Sequence, residues 1–265
     1  MKQKIWEDIV RMREQSPLVL NITNDVVMNN TANALLAAGA SPIMTDESEE
    51  IEEMVALTAA TVINIGTLKR ETVASMKLAI KKAVELGKPS VIDPVGAGAT
   101  AYRNRVMNEL FAVASPAFVR GNPGEIMTLA GLTVASKGVD STVGSASAEG
   151  SAIQLAKQLG CVVSVSGETD IITDGLHTAC VDSGDQMMTR VTGLGCTASA
   201  LLGAFAAVQP NRFMAALSAA TFMAVCGEMA ARESIGPGSL QLNLYDVMHT
   251  LTESQFMACA KVRVK

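Results

Sequence analysis

The alternation of short apolar segments with longer helical ones is the feature that most restricts how this 265-residue chain can fold. Amphipathic helical patterns such as NNTANALLAAG and KRETVASMKLAIKKAVELG separate the apolar segments. Repeated β–α alternation predicts an α/β fold of three layers, with a mainly parallel central sheet and helices on both of its faces. Six segments, most of them apolar on both sides, are predicted as strands: PLVLNIT, SPIMT, TVINIG, SVIDPV, AFVRG and CVVSVSG.

The rest of the chain shows one hairpin signal and a long helical region. The polar segments DIITDG and LHTACVDSG meet at Asp174-Gly175, which is typical of a β-hairpin. After Cys196 the sequence predicts helices alone, and the Gly- and Ser-rich residues 135–150 are predicted to form a mobile loop. Because no linker or low-complexity segment divides the chain, we expect residues 1–265 to form a single domain.

Composition and charge exclude several classes of function. The formal net charge is −5 and aromatic residues make up 3% of the chain, which disfavours nucleic-acid binding. The five scattered cysteines form no CxxC pair, as is typical of reduced thiols in a cytoplasmic protein. The N-terminal MKQKIWEDIVRMREQ lacks an apolar signal core, and no segment predicts a membrane span. We therefore expect a cytoplasmic protein that binds neither nucleic acid nor membranes.

Polar residues follow the predicted strands at the end where parallel α/β sheets bind ligands. Asn24 follows the first strand, Asp93 ends SVID, and Ser166 follows CVVSV. Arg120 and Glu125 belong to VRGNPGEI. Carboxylates such as Asp93 and Glu125 suit Mg2+, and an arginine suits phosphate oxygens. The set predicts a phosphoryl-transfer site, in which positioning and charge stabilisation supply most of the catalysis.

The stretch VTGLGCTASALLGAF predicts a glycine turn that opens a buried helix. Gly193 and Gly195 allow close backbone approach, and the free N–H groups of the first helical turn attract anions. Cys196 lies in that first turn, where the helix N-terminus is expected to lower the pKa of a thiol. A neighbouring triphosphate would oppose this effect, and Cys196 is also compatible with a small packed residue at the helix start.

Each of these features has a structural interpretation when taken alone. A glycine turn after a strand is often only a tight turn, and Asp93 before Pro94 is also typical of a turn. Arg120 and Glu125 are also compatible with a surface ion pair. Neither GxGxxG nor GxxxxGK[ST] occurs, which disfavours an NAD-dependent oxidoreductase and a P-loop enzyme.

The combination of motifs is far more specific than its parts. NITNDVVMNNTANALLAAGASPIM, VIDPVGAGAT, VRGNPGEI, VSGETDIITDG and VTGLGCTASALLGAF, in this order, resemble the hydroxyethylthiazole kinases of the ribokinase-like superfamily. The resemblance covers the chain from about Ser16 to Met257. It implies a kinase that phosphorylates 5-(2-hydroxyethyl)-4-methylthiazole from Mg-ATP, giving the thiazole phosphate used in thiamine salvage. It also implies a homotrimer with a thiazole pocket at each subunit boundary.

The resemblance also implies roles for individual residues. Asn24, Met44 and Gly193 are expected at the thiazole; Arg120, Ser166 and Gly195 at ATP; and Asp93 and Glu125 at Mg2+ and phosphate. Cys196 stands where related sugar and vitamin kinases carry the Asp of GAGD, which deprotonates the acceptor alcohol. We expect Cys196 to orient that alcohol and to act as a modest base. Leu194 replaces the Thr of the family's GTGC, which leaves any contribution of that hydroxyl in doubt.

Two other functions stay open at this point. One is a kinase of another small alcohol, such as hydroxymethylpyrimidine, pyridoxal or a sugar. The short NITNDVVMNN region with Met44 favours a small, flat, partly apolar ring over a sugar. The other is a non-catalytic nucleotide-binding protein on the same fold, which the retained Asp93, Arg120 and Glu125 disfavour.

Overall fold

A nine-stranded sheet organises the computed structural model, which describes residues 1–131 and 145–265, with residues 145–147 by their backbone alone. Most of the predicted loop over residues 135–150 lies outside the described residues, and its last part belongs to a helix. The strands are β1 (Leu18–Ile22), β2 (Ser41–Met44), β3 (Ala60–Asn64), β4 (Ser90–Asp93), β5 (Phe118–Gly121), β6 (Val162–Val165), β7 (Asp170–Thr173), β8 (Thr178–Val181) and β9 (Val262–Val264).

The strand order is β2-β1-β3-β4-β5-β6-β7-β8-β9. Strands β2 to β6 in this order pair in parallel, while β7, β8 and β9 pair antiparallel. The mainly parallel sheet and the hairpin at Asp174-Gly175 are thus confirmed. The prediction of helices alone after Cys196 is wrong, because β9 extends the sheet beside β8. The main-chain N–H of Lys265 donates to the Thr178 carbonyl at 2.8 Å, just beyond the end of that pairing.

Helices cover both faces of the sheet, as predicted. Four of them begin at a residue whose side chain accepts from a free N–H group, such as Thr100, whose Oγ1 accepts from the Arg103 N–H. The helices in the described residues are α1 (Lys2–Gln15), α2 (Met28–Ala38), α3 (Ile51–Leu57), α4 (Arg70–Glu85), α5 (Ala101–Val113), α6 (Pro123–Leu129), α7 (Ser145–Leu159), α8 (Leu194–Val208), α9 (Arg212–Arg232), α10 (Pro237–Thr250) and α11 (Glu253–Cys259), with a 3-10 turn at Gln186–Arg190.

Successive residues of the central strands enter opposite apolar cores. Val62 and Val91 pack with α8 and α9, whereas Ile63 and Ile92 pack with α3, α4 and α5. Side chains alternate across a strand, so a strand covered on both faces must be apolar at every position. This explains the two-sided apolar segments of the sequence.

Helix α8 lies very close to the middle of the sheet. A Cβ at Gly203 would come within 2.6 Å of Val62 Cγ2 and 3.1 Å of Val19 Cγ1. A side chain at this position would therefore push the helix away from the sheet. The close contact brings the N-terminus of α8 over the carboxyl ends of the parallel strands.

Helix α9 is the one described helix that is long and apolar enough to cross a membrane by length and composition. In the fold, 83% of its most apolar window is buried. It packs against α1, α8, α10 and α11 as a core helix.

Candidate active site

A row of polar side chains crosses the sheet on the face that α8 covers. Asn64 lies beside Asp93, and Arg120 lies beside Ser164, in neighbouring parallel strands. In each strand, the residue two positions before the polar one packs in the apolar core beneath α8. Because the side-chain period of a strand is two, the four polar side chains point to the same face. At the carboxyl ends of these strands, the apolar core beneath α8 thus gives way to a layer of polar side chains.

Asp93 is the buried carboxylate at the centre of this layer, with 4% of its surface exposed. Its Oδ2 accepts hydrogen bonds from Asn64 Nδ2 and from Ser199 Oγ, both at 2.8 Å. Burial raises the pKa of the Asp93 carboxyl, while Arg120 and these two donors oppose the rise. Ser199 lies in α8, so the hydrogen bond ties the helix to the end of β4.

Asn24 joins the Asn64–Asp93 pair to the start of α8. Its Nδ2 lies 2.9 Å from Asn64 Oδ1 and 3.4 Å from Cys196 Sγ. The position of Asn24 depends on Gly66, because a Cβ there would lie 2.6 Å from both Cβ and Nδ2 of Asn24. The amide therefore lies in a space that only a glycine at position 66 leaves free.

Cys196 lies in the first turn of α8, but its thiol differs from the sequence expectation. Burial, followed by the negative charge of Asp93, raises the pKa of Cys196 to about 12. Hydrogen bonds from the amides of Asn64 and Asn24 and the charge of Arg120 oppose this rise without reversing it. The expected lowering of the thiol pKa at the helix N-terminus is wrong, because burial and the like charge of Asp93 raise it instead.

Glu125 forms the second carboxylate of the site, at the start of α6. A capping box with Asn122 holds it: Glu125 N–H donates to Asn122 Oδ1 at 3.0 Å, and Asn122 N–H donates to Glu125 Oε2 at 2.8 Å. Gly96 N–H donates to Oε1 at 2.7 Å. Burial and then the charge of Asp93 raise the pKa of Glu125 to about 7. The two carboxylates thus repel each other.

Arg120 lies between the carboxylates and the start of α8. Its Nη1 donates to the Gly195 carbonyl at 3.0 Å, and its side chain is almost fully buried. Its positive charge opposes the burial-driven rise in pKa of Asp93, Glu125 and Asp170. The guanidinium therefore partly balances three acidic groups.

Three other predicted residues lie at the same edge of the sheet. Gly193 precedes α8 with φ 83°, and a Cβ there would lie 2.5 Å from Val27 Cγ1, so the turn needs glycine. Ser166 Oγ donates to the Gly121 carbonyl at 3.4 Å. Met44 is half-buried at the end of β2, beside Asn21 of β1. Among the described residues, Met44 and Ser166 form no hydrogen bond to the Asn24–Asn64–Asp93 network.

Two members of the network were missed by the sequence analysis. Asn64 carries a detectable signal, since it is the single polar side chain at the end of the apolar strand TVINIG. Ser199 carries none, because it resembles any small residue of the Ala-rich helix α8. Only the contact between that helix and β4 makes it a partner of Asp93.

The donor set suits Mg2+. Among the described residues, no group of three or more His, Cys, Asp and Glu side chains forms a preformed metal cage. Mg2+ instead commonly binds through one or two carboxylates and completes its shell with water and phosphate. Asp93 and Glu125 are near enough for one charge to raise the pKa of the other, and a cation would relieve that repulsion.

Comparisons with known proteins agree with this arrangement. Residues 9–254 match the model of the hydroxyethylthiazole kinase family. A hydroxyethylthiazole kinase of Leptospira biflexa is 53% identical over 245 residues, which cover 92% of either chain. A solved structure of a hydroxyethylthiazole kinase protein from Pyrococcus horikoshii OT3 superposes with a TM-score of 0.92 at 43% identity and covers 99% of both chains. A ribokinase-like superfamily protein of Enterococcus faecalis V583 shares the fold, with a TM-score of 0.63 at 12% identity over 89% of this chain and 87% of its own.

Proposed function

The chain belongs to the hydroxyethylthiazole kinase family, and we propose that it transfers the γ-phosphoryl group of ATP to the alcohol of 5-(2-hydroxyethyl)-4-methylthiazole. The product is the thiazole phosphate used in thiamine salvage. One observation carries the proposal: the network of Asn24, Asn64 and Asp93 meets Cys196 at the N-terminus of a helix. We infer that the alcohol of the substrate and the transferred phosphoryl group meet at this point.

The acceptor lies at Asn24, Met44 and Gly193. The half-buried thioether of Met44 offers a flat apolar ring a polarisable contact. The amide of Asn24 is fixed by Asn64, so it presents a constant polar edge to the ring or its alcohol. Because Gly193 has no side chain, the hydroxyethyl arm can approach the backbone of the turn.

Cys196 orients the alcohol as a neutral thiol. With a pKa of about 12, the group is protonated at neutral pH and is a poor base. Its sulfur accepts from Asn24, which fixes the thiol beside the alcohol oxygen. In a loose phosphoryl-transfer transition state the alcohol proton leaves late, so accurate placement accelerates the reaction even where the base is weak.

The nucleotide phosphates lie at Arg120, Ser166 and Gly195. Arg120 supplies a buried positive charge, Ser166 a hydroxyl, and the start of α8 its free N–H groups. Leu194 lacks the hydroxyl of Thr, so its contribution is limited to its main chain. Mg2+, held by Asp93 and Glu125, would neutralise charge on the transferred phosphoryl group when bound.

The assembly is a homotrimer of single-domain cytoplasmic subunits. Support comes from an apolar surface at the edge of the sheet that carries Met44. Val26, Met28 and Leu36, in or next to α2, are 62%, 39% and 58% exposed. A second copy of the chain that covers this surface would also complete the acceptor pocket. Analytical ultracentrifugation of the purified protein tests the trimer directly.

ADP release from Mg-ATP with a panel of alcohols tests the activity. The panel contains the thiazole alcohol, hydroxymethylpyrimidine, pyridoxal and ribose. We expect selective turnover of the thiazole alcohol. Turnover of another alcohol would keep the chemistry and overturn the substrate. Absence of turnover with every alcohol, while ATP still binds, would overturn the kinase assignment.

A further inference from the structure

Arg103, near the start of α5, binds the main chain of two strand ends at once. Its Nη1 donates to the Val95 carbonyl at 2.7 Å and also to the Ile65 carbonyl. Its Nη2 donates to the Gly66 carbonyl at 2.6 Å. Among the described residues, no carboxylate forms an ion pair with this guanidinium. Its charge is therefore directed at three carbonyl oxygens, as strong charge-assisted hydrogen bonds.

The first of these strand ends carries the acceptor side of the site. Ile65 and Gly66 follow Asn64 directly at the end of β3. Gly66 N–H donates to Asn64 Oδ1 at 2.9 Å, and Gly66 leaves the space that Asn24 fills. The guanidinium thus binds the segment that places both amides, Asn24 and Asn64.

The second strand end carries the carboxylate side. Val95 and Gly96 follow Asp93 within three residues. A Cβ on Gly96 would lie 3.3 Å from both Cδ and Nε of Arg103, so the arginine side chain covers this turn. Gly96 N–H in turn donates to Glu125 Oε1 at 2.7 Å. The arginine therefore contacts the turn that holds Glu125 in place.

We propose that Arg103 is a positioning residue, which fixes the spacing between the Asn24–Asn64 pair and the Asp93–Glu125 pair. This inference rests on the proposed function for the identity of the acceptor and the metal. Lysine should replace the guanidinium poorly, because an ammonium lacks the separate N–H groups that a planar fork holds in fixed directions towards both turns. The arginine acts through main-chain contacts and needs no contact with substrate.

The test compares Arg103→Lys and Arg103→Ala with Arg105→Ala. Arg105 lies two positions further along α5, is exposed, and forms a surface ion pair with Glu109 at 3.8 Å. The measurements are kcat and KM for each substrate, and Mn2+ binding to the ADP complex by electron paramagnetic resonance. For both Arg103 variants we expect Mn2+ affinity and kcat/KM to fall about 10- to 100-fold. The Arg105 variant should match the wild type in both.

A structural role and a positioning role give different results. If Arg103 only stabilises the fold, its variants melt earlier, but the folded fraction keeps its KM values and Mn2+ affinity, and this would overturn the inference. If Arg103 positions the site, low concentrations of guanidinium should restore part of the Mn2+ affinity of Arg103→Ala. The Mn2+ affinity of Arg105→Ala should not change. Should Arg103→Ala not fold, Arg103→Lys decides by the same Mn2+ measurement.

The wild-type protein separates this inference from the proposed function. If the wild type turns over substrate and the Arg103 variants behave like Arg105→Ala, the inference is refuted and the kinase assignment stays intact. A wild type without turnover, in which Arg103→Lys still weakens Mn2+ binding, would refute the proposed function. The positioning of the carboxylates by Arg103 would stand in that case.

Discussion

Two buried regions of this protein differ in how their carboxylates are neutralised. Glu228 in α9 contacts two basic side chains, Arg232 and Lys261, the latter with Nζ 3.1 Å from Glu228 Oε2. Asp93 and Glu125 accept hydrogen bonds from neutral amide, hydroxyl and main-chain donors, and the charge of Asp93 raises the pKa of Glu125. The carboxylate in α9 is thus neutralised by ion pairs, whereas the carboxylates at the strand ends leave an excess of negative charge.

The difference shows where the fold buries charge at a cost in stability, and this place is the candidate active site. A buried charge normally needs a partner, because desolvation without one is expensive. Glu228 has such partners within the chain. The Asp93–Glu125 pair shares Arg120 with Asp170, so a further cation would stabilise the pair. Substitutions in the two regions should therefore affect different properties.

The largest effect is expected from Asp93→Asn. The amide oxygen can still accept hydrogen bonds from Asn64 and Ser199, so the fold should persist. The charge proposed to hold Mg2+ is lost, and kcat should fall about 10²- to 10³-fold. The unfolding free energy should stay level or rise, since the repulsion with Glu125 disappears. ADP release and urea unfolding measure the two quantities, and a variant with normal kcat would contradict the assignment.

The pH dependence of stability should reveal the charge excess at Glu125. Its pKa is about 7 in the folded protein and about 4.5 in the unfolded chain. The folded state therefore binds the proton more tightly, and stability is lost as the pH rises from about 4.5 to about 7. The loss is on the order of 3 kcal/mol.

Urea unfolding across this range, without nucleotide or divalent cation, measures the loss. Glu125→Gln should reduce the slope, and Asp93 and Asp170, whose pKa values burial also raises, supply the slope that remains. The surface variant Glu85→Gln should leave the curve unchanged. A curve of equal slope in Glu125→Gln and wild type would refute the assignment of the transition to Glu125.

A smaller effect on stability, and none on catalysis, is expected from Glu228→Gln. The variant removes the charge that Arg232 and Lys261 contact, but both partners are more than half exposed and can regain water. We expect the unfolding free energy to fall by about 1–2 kcal/mol with unchanged kcat. Lys81→Gln, at a surface pair with an N–O distance of 3.9 Å, is the control and should change neither quantity. A lower kcat in Glu228→Gln would remove the contrast between the two regions.

The smallest effect is expected at Cys196. As an orienting neutral thiol, it should contribute about 10-fold to kcat, less than the 10²- to 10⁴-fold of a full general base. Cys196→Ala measured by ADP release tests this value, and an unchanged kcat would refute the orienting role. Cys196→Asp should keep or raise activity, with a pH optimum displaced upward by the charge of Asp93. Complete inactivity of a folded Cys196→Asp would contradict the shared geometry with the GAGD kinases.

Local patterns were sufficient to predict most of the fold. Strands buried on both faces are apolar at every position, and the helices between them repeat at 3.6 residues, so both signals lie within a few neighbouring residues. Strand β9 escaped prediction because it has three residues, two of them exposed. Its stability comes from pairing with β8, more than 80 positions away in the sequence.

The site was predictable to the extent that it consists of strand ends. Asp93 and Arg120 lie together because parallel strands bring their carboxyl ends to one edge, and Asn64 could have been found by the same argument. The contact of Ser199 with Asp93 and the raised pKa of Cys196 depend on how α8 packs on the sheet. No pattern within one segment contains that information.

The packing of helix α1 has a consequence for synthesis on the ribosome. This first helix contacts α8, α9 and α11, and Lys2 Nζ donates to the Met257 carbonyl at 2.9 Å. The apolar face of α1, with Ile5 and Ile9 fully buried in the fold, lacks its helical partners until α8, α9 and α11 have left the exit tunnel. Such distant contacts slow folding and leave the apolar face of the nascent helix open to aggregation or to chaperones. Helix α1 is thus synthesised well before the helices that complete its environment.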